Sequence, residues 1–318
     1  MAGTTDKQCD LVLEGGGVKG IGLVGAVQVL AEKGYQFQRV AGTSAGAIVG
    51  SLVAAGMSPE QMATTMKQID YKAFRDEGLL DKLGLPGKMA SLVFEKGIYE
   101  GNYLRNWLAQ QLEALGVRTF ADLRLEEPWA KDLPPQQRYK LMVVVSDISR
   151  GRLVRLPWDY HVYGLDPDTQ LVADAVRASM SIPFFFEPVQ LAGRYLVDGG
   201  VLSNFPVDSF DNTAQWPTFG IKLSAKEDAN TDANPVSSPI DFVQAIVSTA
   251  MSAHDQMHLD DPCTNMRTIF VDTMRIKGTD FDIKPAQQQQ LYENGRKYAL
   301  TFLNTWSFAD YKKVCPIK

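Results

Sequence analysis

The apolar and polar positions of the chain alternate in a way that lays out its elements before any chemistry is considered. Leu11–Val12–Leu13 is a short apolar run cut off by Gly15–Gly16–Gly17, the pattern of a buried strand feeding a tight loop. Ile21, Val24, Val27 and Leu30 then recur at helical spacing until Gly34 closes the segment. Arg39–Val40–Ala41 predicts a second strand, Gly42–Thr43–Ser44–Ala45–Gly46 a turn, and the apolar stretch to Ala55 a second helix. Strand, glycine loop, helix, strand, glycine turn, helix is the opening of a parallel α/β sheet. Ser58–Pro59–Glu60–Gln61 reads as a capped helix start. Asn102 to Leu115 and Leu171 to Met180 read as helices. Leu141–Val145, Arg152–Leu156, Arg194–Val197 and Thr218–Leu223 read as strands. Beyond them, Lys226 to Ser238 is polar and reads as a linker or surface loop. A long helix is expected from Ser238, an edge strand over Met266–Val271, and a terminal helix from Pro285 to Trp306. The expected organisation is an α/β core over residues 1–225, with a mainly helical part over 226–318 packed against it as one structural domain.

Composition narrows the classes of function. The 318 residues are 45% hydrophobic and 22% charged, ordinary values for a globular chain with a substantial core. A formal net charge of -5, with no clustered Lys and Arg, argues against nucleic acid as a partner. No apolar run is long enough to cross a bilayer, and Met1 to Asp10 lacks the features of a secretion signal. Cys9, Cys263 and Cys315 are scattered and odd in number, so reduced thiols in a cytoplasmic protein are expected. The sequence leaves the oligomeric state open.

The candidate chemistry sits in the glycine-rich turns. Gly42 to Gly46 spell G-x-S-x-G, in which Ser44 is placed on a sharp strand-to-helix turn at the start of a helix whose free amides favour negative charge. Gly15, Gly17 and Gly20 also fit G-x-G-x-x-G, the dinucleotide fingerprint. That fingerprint needs an acid about twenty residues on, and no Asp or Glu lies between Gly34 and Pro59. A Walker A loop is excluded because Ile21 follows Gly20. What remains for Gly15, Gly16 and Gly17 is an oxyanion hole of backbone amides. Lys19 either lends positive charge there or is solvated at the helix start. For a base, His161 lies in an aromatic loop, and His254 and His258 stand four apart on a predicted helix without a third metal ligand. Asp198 ends an apolar strand and precedes Gly199–Gly200. It is either a turn-former or a carboxylate made basic by desolvation.

Taken together, these residues resemble the patatin-like phospholipases. The resemblance rests on the G-G-G-x-[KR]-G loop at Gly15 to Gly20, the serine turn at Gly42 to Gly46, and Asp198–Gly199–Gly200, in the family's order. Lys96–Gly97–Ile98–Tyr99, Ser146–Asp147, Ala178 to Pro183 and Asn204–Phe205–Pro206 fit as well, and the similarity spans roughly residues 9 to 225. The resemblance implies a three-layer α/β/α fold with a mainly parallel sheet. It also implies hydrolysis of acyl esters of phospholipids or related lipids by a Ser44–Asp198 dyad, with Gly15, Gly16 and Gly17 stabilising the oxyanion and no metal or cofactor. A lipid substrate requires transient contact with a membrane surface. Two alternatives stay open: an α/β-hydrolase triad of Ser44, Asp198 and His254, and a non-catalytic lipid-binding scaffold. The apolar stretch from Leu79 to Phe94 is either a lid or core packing, and Phe184–Phe185–Phe186 either lines an acyl pocket or fills the core.

Overall fold

The computed structural model describes residues 7–74, 99–211, 215–223 and 261–315, with isolated helical positions at 245, 246 and 249. Its centre is an eight-stranded sheet. The strands are β1 (Gln8–Leu13), β2 (Gln36–Thr43), β3 (Leu141–Asp147), β4 (Arg152–Leu156), β5 (Val189–Leu191), β6 (Arg194–Asp198), β7 (Thr218–Lys222) and β8 (Thr268–Phe270). Their order is β5-β6-β3-β2-β1-β7-β8, with β4 also paired to β3. The β3-β2-β1-β7-β8 body is parallel, whereas β6, β5 and β4 run antiparallel to their neighbours. Every residue of β3 is buried, as a central strand covered on both faces requires.

Helices flank the sheet. One group is α1 (Ile21–Glu32), α3 (Pro59–Lys67) and the long α7 (Pro285–Thr305). The other is α2 (Ala45–Ala54), α4 (Asn102–Ala114) and α5 (Val172–Ser179). The start of α3 follows from its sequence: Ser58 Oγ accepts from the Gln61 amide at 3.2 Å, and the Ser58 amide donates to Gln61 Oε1 at 3.3 Å. Among the described residues, no helix is long and apolar enough to cross a membrane.

The C-terminal part departs from its expected form in two ways. The edge strand begins later than expected, because Pro262–Arg267 is a helix (α6) capped by Asp261, and β8 occupies only Thr268–Phe270. Strand β8 pairs with β7 at the end of the sheet, the edge place expected of it. Cys263 and Cys315 are joined in a disulfide, tying α6 to the end of the last helix α8 (Phe308–Val314), and only Cys9 remains a free, buried thiol. The expectation of three reduced thiols is therefore corrected. The bridge closes a separation of 52 residues, and such a pairing cannot be read from spacing. The polar 226–238 linker, the helix opening at Ser238, His254, His258 and the 79–94 segment lie outside the described residues.

Candidate active site

Strand β2 delivers Ser44 at its C-terminal end, in the single residue between Thr43 and α2. Ser44 has φ 53° and ψ −124°, a conformation in which a side-chain-bearing residue is strained. Its flanking glycines are required by close approach: a Cβ on Gly46 would stand 2.2 Å from the Leu13 carbonyl oxygen, and one on Gly42 would stand 2.3 Å from that of Gly46. Ser179 at the end of α5 holds the turn. It accepts from the Ser44 amide at 2.9 Å and donates to the Val144 carbonyl at 2.6 Å. Sequence reasoning noticed the stretch around Ser179 only as a motif and missed this role. The signal available was a serine at the end of a predicted helix, inside the Ala178–Pro183 stretch.

Asp198 reaches the site by register rather than by a shared strand direction. Thr43 pairs with Val144 and Asp198 with the next residue, Val145, while β4 pairs with β3 along Val143–Asp147; β2 and β6 therefore share the other edge of β3 end to end, and Ser44 and Asp198 come together where one strand gives way to the other. Strand β6 is antiparallel to β3 and meets the site from the other direction.

The Asp198 carboxyl is completely buried. Oδ1 accepts from the Gly200 amide at 2.8 Å, while Oδ2 has no hydrogen-bond partner among the described residues. Desolvation pushes its pKa up to about 7, against the smaller lowering effects of the Gly200 amide and the Ser44 hydroxyl. The Ser44 hydroxyl thus lies within the electrostatic reach of Asp198. In this arrangement, however, it donates to Met180 Sδ at 3.4 Å, and Ser44 is only 2% exposed.

The glycine loop lies alongside. The Gly15 amide donates to Asn204 O at 3.1 Å and the Val18 amide to Gly278 O at 2.9 Å, whereas the Gly16 and Gly17 amides have no acceptor among the described residues. The three amides expected to converge are therefore reduced to two, because Gly15 is engaged by a segment far away in sequence. Lys19 Nζ donates to Leu223 O at 3.3 Å. Glu14, which precedes the loop, forms a buried ion pair with Lys222 and accepts from the Leu223 amide. His161 bonds Trp158 O at 2.8 Å and lines a cavity of about 430 Å³ with Arg124, Tyr139 and Pro135; no imidazole is among the described partners of Ser44 or Asp198. Phe186 is buried against Phe281, while Phe184 and Phe185 are half-buried. No group of three or more His, Cys, Asp or Glu among the described residues is arranged to hold a metal ion.

A strained serine on a strand-to-helix turn, facing a buried unpaired carboxylate beside open amides on a mostly parallel α/β sheet, has the form of a hydrolase site. The chain matches the model of the patatin-like phospholipase family over residues 11–211, and it belongs to that family. It is 36% identical over 308 residues to YqhO of Bacillus subtilis, a match covering 94% of this chain and 99% of that one. It is 24% identical over 221 residues to the lysophospholipase NTE1 of Saccharomyces cerevisiae, covering 69% of this chain but 11% of that protein. The crystal structure of VipD from Legionella pneumophila shares the fold, with a TM-score of 0.54, 19% identity, and coverage of 95% of this chain and 67% of that one. Family membership supports a lipid hydrolase function.

Proposed function

We propose that this protein is a serine acyl hydrolase that cleaves fatty acyl esters of phospholipids or related lipids through Ser44 and Asp198. The observation that carries the reading is the carboxylate of Asp198: buried, with no cation and no Oδ2 partner among the described residues, and brought beside Ser44 on the same edge of β3. An ordinary aspartate, with a reference pKa of about 3.9, is too weak a base at neutral pH. Held near 7, it accepts the Ser44 proton as the oxygen attacks the ester carbonyl and returns it to the leaving alcohol. Water then gives a proton to Asp198 as its oxygen attacks the acyl carbon; the Ser44 Oγ–acyl bond breaks, Asp198 returns the proton to Oγ, and the fatty acid leaves. The Gly16 and Gly17 amides stabilise the oxyanion of each tetrahedral intermediate, with Lys19 adding positive charge nearby. Reaching the substrate entails transient contact with a membrane surface.

The test is lipid mass spectrometry of mixed phospholipid vesicles incubated with wild type, Ser44→Ala and Asp198→Asn. Free fatty acid released by wild type and by neither variant supports the dyad; release by a folded Asp198→Asn protein overturns it. His254→Ala belongs in the same experiment, because only a triad loses activity there.

A further inference from the structure

The segment that follows Asp198 touches all three parts of the site. It begins with the Gly200 amide on Asp198 Oδ1 and folds back through the Leu202 and Ser203 amides, which both donate to Gly199 O, at 3.0 and 2.8 Å. The Thr43 hydroxyl, next to the nucleophile, donates to Ser203 O at 3.2 Å. Asn204 then closes a two-bond ring with Gly15: its main-chain oxygen accepts from the Gly15 amide at 3.1 Å, and its Nδ2 donates to the Gly15 oxygen at 3.2 Å. The remaining side-chain atom, Oδ1, is buried without a hydrogen-bond partner against the same glycine. A Cβ built on Gly15 would fall 2.2 Å from Oδ1 and 3.0 Å from Ser44 Cβ. An unpartnered buried amide oxygen is unfavourable, so the side chain sits there at a penalty that its grip on Gly15 must justify.

We propose that Asn204 is a positioning residue: by bonding both the amide and the carbonyl of Gly15, on either side of its Cα, it fixes the Gly16 and Gly17 amides relative to Ser44. This rests on the dyad and glycine-amide reading above. Donors aimed at a developing charge are worth most when they are fixed before the reaction, and displacements of about 1 Å are costly. Asn204 meets no reacting atom itself. Its loss therefore lowers the rate of the chemical step and leaves substrate affinity nearly untouched. Aspartate has the same shape but reverses the interaction. Its carboxylate repels the Gly15 oxygen and opposes the oxyanion, whereas its protonated form donates to Gly15 again.

The experiment compares wild type, Asn204→Ala, Asn204→Asp and Ser44→Ala on p-nitrophenyl butyrate across pH, with thermal unfolding as a check on folding. Asn204→Ala is expected to lose about 10- to 100-fold in kcat with KM within about threefold. The ratio of Asn204→Asp to wild-type kcat is expected to rise as pH falls, a signature that a merely structural role does not give. A kcat for Asn204→Ala within twofold of wild type, a loss confined to KM, or a pH-independent ratio for the aspartate variant overturns the proposal. If Asn204→Ala does not fold, the isosteric aspartate variant and its pH ratio carry the test. Inactive Ser44→Ala beside fully active Asn204→Ala overturns the positioning role alone; active Ser44→Ala overturns the site reading and this role with it.

Discussion

Asp10 and Asp198 are both sealed from water, yet the molecule treats them in opposite ways. Asp10, in β1, meets Arg39 of β2 through Oδ2 at 2.5 Å and through Oδ1, which accepts from the Arg39 Nε and main-chain amide at 3.1 Å; the guanidinium lies 4.5 Å from the Phe210 ring centroid. Burial raises the Asp10 pKa, and the guanidinium works directly against that rise. Among the described residues Asp198 meets no cation, only one main-chain amide and the influence of a hydroxyl, so burial lifts its pKa to about 7. The contrast shows what burial without a charge partner achieves. The paired acid joins two strands, and the unpaired one is left as a proton acceptor at neutral pH.

The comparison can be broken at several points. The largest expected difference is in turnover: Asp198→Asn loses at least about a thousandfold in ester hydrolysis, as removal of a catalytic group does. Asp10→Asn, measured per folded molecule, stays within about twofold. Next, Asp10→Asn strands a buried guanidinium and is expected to destabilise the fold by about 3–5 kcal/mol in chemical denaturation. Asp198→Asn acts in the other direction. Because the folded-state pKa lies above the unfolded one, the acid favours folding at low pH, and that contribution is lost as pH rises toward about 7. The asparagine variant should thus be more stable than wild type by up to about 4 kcal/mol at pH 8, with the gap closing toward pH 4. The smallest effect is on wild-type kcat, which should rise by up to about tenfold per pH unit below 7 and level off above it, since only the carboxylate accepts the serine proton. A limb that stays flat from pH 5 to 8 assigns the base to another group.

Much of this was legible in the chain, for local reasons. An apolar run ending in glycines fixes where a strand stops, so the positions of Ser44, Asp198 and the glycine loop could be read from a few residues each. Strand direction could not, because an apolar strand looks the same read either way; β6 runs antiparallel to β3 for reasons that lie in the whole topology. The Gly15 amide could not be known to be engaged, because its acceptor, Asn204, lies 189 positions away. The Cys263–Cys315 bridge was hidden likewise, since three cysteines permit several pairings and none is marked by spacing. Ser179 escaped because a buried hydroxyl at a helix end has no sequence signature apart from the company it keeps.

Helices α1 and α7 touch main chain to main chain. A methyl on Gly25 would stand 2.1 Å from the Tyr292 carbonyl oxygen, and one on Gly295 would stand 2.0 Å from that of Gly22. The helix that follows the glycine loop is therefore sheathed by residues well past the end of the family match at 211. A shortened version prepared for crystallisation or for a reporter assay would have to retain residues 285–305 or supply another cover for that bare groove. Without one, the first helix would present an unshielded apolar seam to water, and clumping would be the first thing the experimenter saw.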